Sequence, residues 1–257
     1  MTGGADVTSP ALTAAESRWL SSRRSRQETF TDLYCFAHAG GSAGEFMRWS
    51  DGLPGVKLWA VRMPGRAPRE SEPPYTRMTE LVADLVEQID FSRRDFAFFG
   101  HSLGGLVAFE VTRALRKAGR KLPSRLLISS MQPPPITTTK GASRLSSEGL
   151  LAEIEGRWGA LPQEIHDDAE LKEIVLGYLR SDAEIADTYE YVAEEPLPVP
   201  ITAFVGSEEN RAQLDWQTHT TAGLDAHVLK GGHFYFRDGE QQRELIRLIG
   251  RATSADA

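Results

Sequence analysis

The segment Gly100-His101-Ser102-Leu103-Gly104 is the first place where the sequence offers chemistry. A serine flanked by glycines two residues away on each side suits a sharp turn from a strand into a helix. Side chains at the flanking positions would collide with neighbouring backbone. The turn exposes the hydroxyl, and the following helix aims its N-terminal N–H groups at it. Ser102 is therefore the candidate nucleophile. Five residues alone recur by chance, so the flanks decide. Residues 95–99 (DFAFF) read as a short buried strand, and 103–118 read as a helix ending near Gly119, a suitable C′ residue.

A serine hydroxyl is a poor nucleophile at neutral pH and needs a base, which in turn needs an orienting carboxylate. In a strand-turn-helix arrangement of this kind the chain order is serine, acid, histidine. Of the six histidines, His233 lies in Gly231-Gly232-His233-Phe234, between a predicted strand and the final helix, where the base belongs. His101 lies inside the turn, with its side chain expected to point away from the nucleophile. His166, His219 and His227 read as surface or structural. The acid is expected on the loop after 201–205, which reads Gly206-Ser207-Glu208-Glu209-Asn210-Arg211. Glu209 is the first choice and Asp215 the second. Two backbone N–H groups must stabilise an oxyanion. Leu103 supplies one, and Ala39, in the glycine-rich turn from His38 to Gly44, supplies the other.

The elements that must hold these groups alternate. Strands are predicted at 31–37, 56–62, 95–99, 124–130, 201–205 and 226–230. Between the second and third of these, 77–90 carries the apolar stripe Met78, Leu81, Val82, Leu85, Val86 and Ile89 of an amphipathic helix. Alternating strands and helices imply an α/β protein with a mainly parallel central sheet and helices on both faces. With the serine turn this is the α/β-hydrolase fold. The alternation breaks after 124–130. Residues 132–140 are loop, and 146–157, 168–180 and 182–192 read as consecutive helices. A helical lid over about 133–195 is expected, inserted beside the site. Residues 1–28 read as a mobile N-terminal segment before a single domain, 29–257.

Composition narrows the class. The chain is 40% hydrophobic and 25% charged, the profile of an ordinary globular protein. A formal net charge of −7 argues against a nucleic-acid-coating protein. The single cysteine, Cys35, excludes a disulfide framework and a multi-cysteine zinc site. There is no signal-peptide pattern and no membrane-length apolar run, so a cytoplasmic protein without membrane or metal partners is expected.

The chain resembles the type II thioesterases of polyketide and nonribosomal peptide biosynthesis. The resemblance rests on Cys35-Phe36-Ala37-His38-Ala39-Gly40-Gly41-Ser42, Phe46 with Trp49, Met63-Pro64-Gly65-Arg66 with Arg69, Phe99 to Gly105 with Ala108-Phe109-Glu110, and Gly231 to Phe234. It covers roughly 19–250. The family pattern carries Gly-x-x-Asp where this chain has Gly206-Ser207-Glu208-Glu209, so Glu209 falls at the aspartate position. The resemblance implies hydrolysis of an acyl thioester on the phosphopantetheine arm of an acyl or peptidyl carrier protein, in editing or intermediate release, without metal or cofactor. A carboxylesterase acting on small oxygen esters and a non-catalytic binding protein are the alternatives. Trp158, Leu161, Leu176, Tyr178 and Leu179 are candidates for the acyl pocket, although the same spacing also suits simple core packing. Arg62, Arg66, Arg69 and Arg77 are candidates for meeting an acidic carrier protein.

Overall fold

The computed structural model describes residues 12–23, 28–136, 140–159 and 161–254. Seven strands form one sheet: β1 (Leu20–Ser21), β2 (Thr31–Phe36), β3 (Val56–Val61), β4 (Asp95–His101), β5 (Arg125–Ser129), β6 (Ile201–Gly206) and β7 (Leu224–Leu229). Their order is β1-β3-β2-β4-β5-β6-β7. β1 is antiparallel to β3, and the other neighbours run parallel. Side chains of a strand alternate between faces. Tyr34, Phe36, Phe96 and Phe98 therefore enter one apolar layer, while Leu33, Cys35, Ala97 and Phe99 enter the other. Both layers are buried, as a parallel sheet requires.

Helices α1 (Ala14–Trp19), α2 (Met78–Gln88) and α3 (Leu103–Lys117) cover the first face, and α7 (Gly239–Thr253) covers the second. The predicted stripe on α2 is the buried face: Met78, Leu81, Val82 and Leu85 all point inward. Between β5 and β6 lie α4 (Ser147–Trp158), α5 (Gln163–Asp167) and α6 (Ala169–Thr188). A small separate core of Leu150, Ile154, Leu176 and Leu179 joins α4 to α6.

Two expectations change. Within the segment expected to be a mobile leader, the described residues 12–23 are packed. Thr13 and Glu16 form a reciprocal capping box at the start of α1. Trp19 is buried under the Arg69 guanidinium, 4.4 Å from its ring, and β1 adds an edge strand. Residues 1–11 and 24–27 lie outside the described residues. Second, the helices expected at 168–180 and 182–192 are one continuous 20-residue helix, α6. The polar pair Ser181-Asp182 does not end it. Ser181 Oγ donates to the Tyr178 carbonyl at 2.9 Å, and the Asp182 carboxylate is neutralised by Arg66 at 2.6 Å. No helix among the described residues is long and apolar enough to cross a membrane.

Candidate active site

Ser102 stands at the junction of β4 and α3 with φ 53° and ψ −124°. A non-glycine residue held there costs about 1–3 kcal/mol. The surrounding backbone enforces it. A Cβ on Gly100 would lie 2.2 Å from the Gly104 carbonyl oxygen, and one on Gly104 would lie 2.1 Å from that of Phe36. The Ser102 N–H donates to the Ser129 carbonyl at 2.8 Å, tying the turn to β5. The obstruction at Gly104 is backbone of β2, which cannot swing aside. Gly104→Ala is expected to destabilise the fold by about 3 kcal/mol, seen as a lower denaturant midpoint; an unchanged midpoint would contradict this packing.

His233 follows β7, and its loop is pressed against β6. A Cβ on Gly206 would meet the Gly231 and Gly232 carbonyl oxygens, each at 2.5 Å. That approach brings His233 Nδ1 within 2.8 Å of Glu209 Oε1. A carboxylate accepts, so Nδ1 carries the proton and Nε2 is the basic atom of the neutral ring. Glu209 Oε2 accepts from Ser130 Oγ at 2.5 Å and from the Gly206 N–H at 3.0 Å. Burial works to raise the Glu209 carboxyl pKa, but the hydrogen bonds from His233, Ser130 and Gly206 outweigh it and hold the carboxyl below its ordinary value. Asp215, the second choice, lies between two short 3-10 turns, with its N–H bonded to the Ala212 carbonyl. The carboxylate on the imidazole is that of Glu209.

Ser130 is a site residue that the motifs do not indicate. The strand expected to run to Ser130 ends at Ser129, and Ser130 follows it with φ 49°, a conformation that accompanies its bond to Glu209. A serine at the mouth of the sheet, one strand from the acid, is the signal that a sequence reading can look for.

Ser102, Leu103, Ala39 and His233 line one cavity of about 220 Å³. Leu103 is the first residue of α3, so its N–H has no acceptor within the helix. Ala39 follows β2 across the same opening. The far wall is α4 and α6, through Leu150, Ile154, Trp158 and Leu179, and the Trp158 ring also stacks on His233 at 5.4 Å. Leu161, Leu176 and Tyr178 are not in this wall. Leu161 and Leu176 pack in the α4–α6 core, and the Tyr178 ring sits against the Arg66 guanidinium. His101 is fully buried, with Nδ1 bonded to Ser129 Oγ at 2.8 Å. Burial, then the nearby His233, His38 and Arg237, push its pKa well down, so it stays uncharged beneath the site.

The arginines expected to meet a partner are mostly internal. Arg66 and Arg69 are 4% and 7% exposed. Arg66 pairs with Asp182, and Arg69 pairs with Glu72 at 2.5 Å. Arg62 bonds to the Ser17 and Leu20 carbonyls. Arg77 alone of the four is largely exposed, so a four-arginine docking patch is not formed.

Similarity to known proteins shows the family and the fold. The model of the thioesterase domain family matches residues 31–253. The chain is 33% identical over 239 residues to Thioesterase PikA5 of Streptomyces venezuelae, covering 90% of this chain and 85% of that protein. Among solved structures, RedJ, the thioesterase from the prodiginine biosynthetic pathway in Streptomyces coelicolor, is similar with a TM-score of 0.80 and 29% identity, covering 87% of this chain and 91% of RedJ. BorB, the type II thioesterase from the borrelidin biosynthetic cluster, is similar with a TM-score of 0.79 and 30% identity, covering 92% of this chain and 98% of BorB.

Proposed function

The chain belongs to the thioesterase domain family, and on that premise we propose that it works as a type II thioesterase, with Ser102, His233 and Glu209 hydrolysing acyl thioesters held on the phosphopantetheine arm of an acyl or peptidyl carrier protein. The fold is that of the α/β-hydrolase thioesterases it resembles. The observation that carries the catalytic reading is the 2.8 Å His233–Glu209 pair, with His233 and Ser102 lining one largely apolar cavity.

The steps follow from the groups present. Ser102 Oγ attacks the thioester carbonyl carbon as His233 Nε2 takes its proton. The new imidazolium is stabilised by the Glu209 carboxylate on Nδ1. Negative charge gathers on the former carbonyl oxygen, where the Leu103 and Ala39 N–H groups receive it. The C–S bond then breaks, and the pantetheine sulfur leaves with the proton from His233. A thiol has a pKa of about 8.5, so its departure demands less of the acid than an alkoxide would. Water, deprotonated by His233, repeats the attack on the Ser102 ester and releases the free acid. The apolar walls from α4 and α6 suit an acyl chain, and these helices serve as the lid.

Similarity to pathway thioesterases favours this reading over a general carboxylesterase or a non-catalytic binder. Intact-protein mass spectrometry of acyl-loaded carrier proteins tests it. The acyl mass should disappear with this protein and persist with Ser102→Ala. Survival of the carrier-bound acyl group beside cleavage of small oxygen esters would transfer the assignment to the esterase.

A further inference from the structure

The loop bearing Ala39 is held by side chains that the reaction does not use. The His38 carbonyl accepts from the Gly41 N–H at 2.9 Å, and the Ala39 carbonyl accepts from His38 Nδ1 at 2.8 Å. The next two groups are bound from outside the loop. The Gly40 N–H donates to Asp182 Oδ2 at 2.7 Å, and the Gly41 carbonyl accepts from an Arg66 terminal nitrogen at 2.7 Å. The other terminal nitrogen of Arg66 donates to Asp182 Oδ1 at 2.6 Å. Gly40, Gly41, Arg66 and Asp182 thus close a ring of three hydrogen bonds, with both charged side chains buried.

The same helix presses on the loop a second time. Leu179, one turn before Asp182 on α6, occupies the space a Cβ on Gly40 would need, at 2.6 Å. Gly40 has φ 73°, so this position favours glycine for conformation as well as for space. Asp182 also lines the cavity that Ser102 and Ala39 open into. Holding both the carbonyl of Ala39 and the N–H of Gly40 fixes the plane of the peptide that joins them. The Ala39 N–H lies on the adjoining peptide, and its direction is set by rotation about the same Cα.

We propose that Asp182, held by Arg66, is a positioning residue for the Ala39 N–H, so that α6 aims the oxyanion-binding donor as well as walling the cavity. The inference rests on the reading of Ala39 and Ser102 given above. Its consequence is selective. A mis-aimed donor weakens binding where negative charge has developed and leaves ground-state binding alone.

The test uses the full chain and the paired replacement Arg66→Met with Asp182→Leu. It removes both buried charges together, and apolar replacement of a buried pair is often well tolerated. Three quantities are measured: kcat and KM on an acyl thioester of N-acetylcysteamine, the affinity of the matching acyl trifluoromethyl ketone, and the affinity of the free acid product. The ketone forms an oxyanion on Ser102, while the acid reads the cavity. Because Asp182 lines the cavity, KM and acid affinity report the altered wall, and the paired variant is expected to lose kcat and ketone affinity by a common factor of about 100 beyond any change in those two. Asp182→Asn retains a carbonyl oxygen for the Gly40 N–H. It should recover part of the ketone affinity, and it carries the same readouts if the paired variant does not fold. Wild-type kcat and ketone affinity in a folded paired variant would overturn the proposal, as would equal weakening of ketone and acid. A wild-type protein that neither turns over the thioester nor forms the ketone adduct would overturn the underlying reading, a result separable from any behaviour of the variants.

Discussion

His233→Ala lowers kcat for thioester hydrolysis by about 10⁴-fold to 10⁶-fold, and adding Ser102→Ala to it costs almost nothing more. This expected result follows from how the two groups act. The Ser102 hydroxyl gains nucleophilicity only while a base removes its proton, and the base has no task without the hydroxyl. Removing either one leaves the N–H groups of Leu103 and Ala39 and the walls of the cavity, which support a slow attack by water. The measurement is single-turnover hydrolysis by Ser102→Ala, His233→Ala and the double variant, with thermal melting as a check on folding. Losses that multiply in the double variant would show that the two residues act independently, and the Ser102–His233 mechanism would fail.

The second large effect is at Glu209. Glu209→Gln is expected to reduce kcat by about 10⁴-fold. The amide is nearly the same size, but it can present an N–H to His233 Nδ1. The ring then holds its proton on Nε2, the atom that must accept from Ser102. Glu209→Asp keeps a carboxylate at the end of a shorter side chain and should retain more activity than the amide. A Glu209→Gln enzyme with wild-type kcat would remove Glu209 from the mechanism. The same variant has a stability signature. The folded Glu209 carboxyl titrates below its unfolded value, so its stabilising contribution is fully present above the ordinary glutamate range of about 4.3 and is lost as pH falls through the lower folded value. Melting temperature followed over that acid range should therefore fall less steeply for Glu209→Gln than for the wild type.

Part of the candidate site was legible because it depends on local backbone. The turn at Ser102 needs small residues at Gly100 and Gly104 whatever surrounds it, and the clashes of 2.2 Å and 2.1 Å show why. His233 could be placed because it lies between the last predicted strand and the final helix, where the chain order puts the base. Glu209 is the first choice over Asp215 from the sequence, because the acid must sit on the loop that follows β6, and its Oε1 lies 2.8 Å from His233 Nδ1. The stripe on α2 emerged as predicted, since burial on one face of a helix is written in its spacing.

The partners of charged residues were not legible. Arg66 and Arg69 carry the same side chain as a solvated surface arginine, and only packing turned them inward onto Asp182, Glu72 and Trp19. The break expected between 180 and 182 does not occur: α6 runs through Asp182, whose charge is met by Arg66, 116 residues away in sequence. A capping box at Thr13 and Glu16 can be read locally, but whether the helix it starts packs against the sheet depends on Trp19 finding Arg69 and Tyr75. The strand-turn-helix around Ser102, the chain order of the candidate catalytic groups and the alternation that builds the sheet were thus readable from sequence, because glycine sterics and side-chain period act over a few residues. Which helical residues wall the cavity and which arginines are buried came only with the packed chain, because long-range pairing is set by where the fold brings residues together.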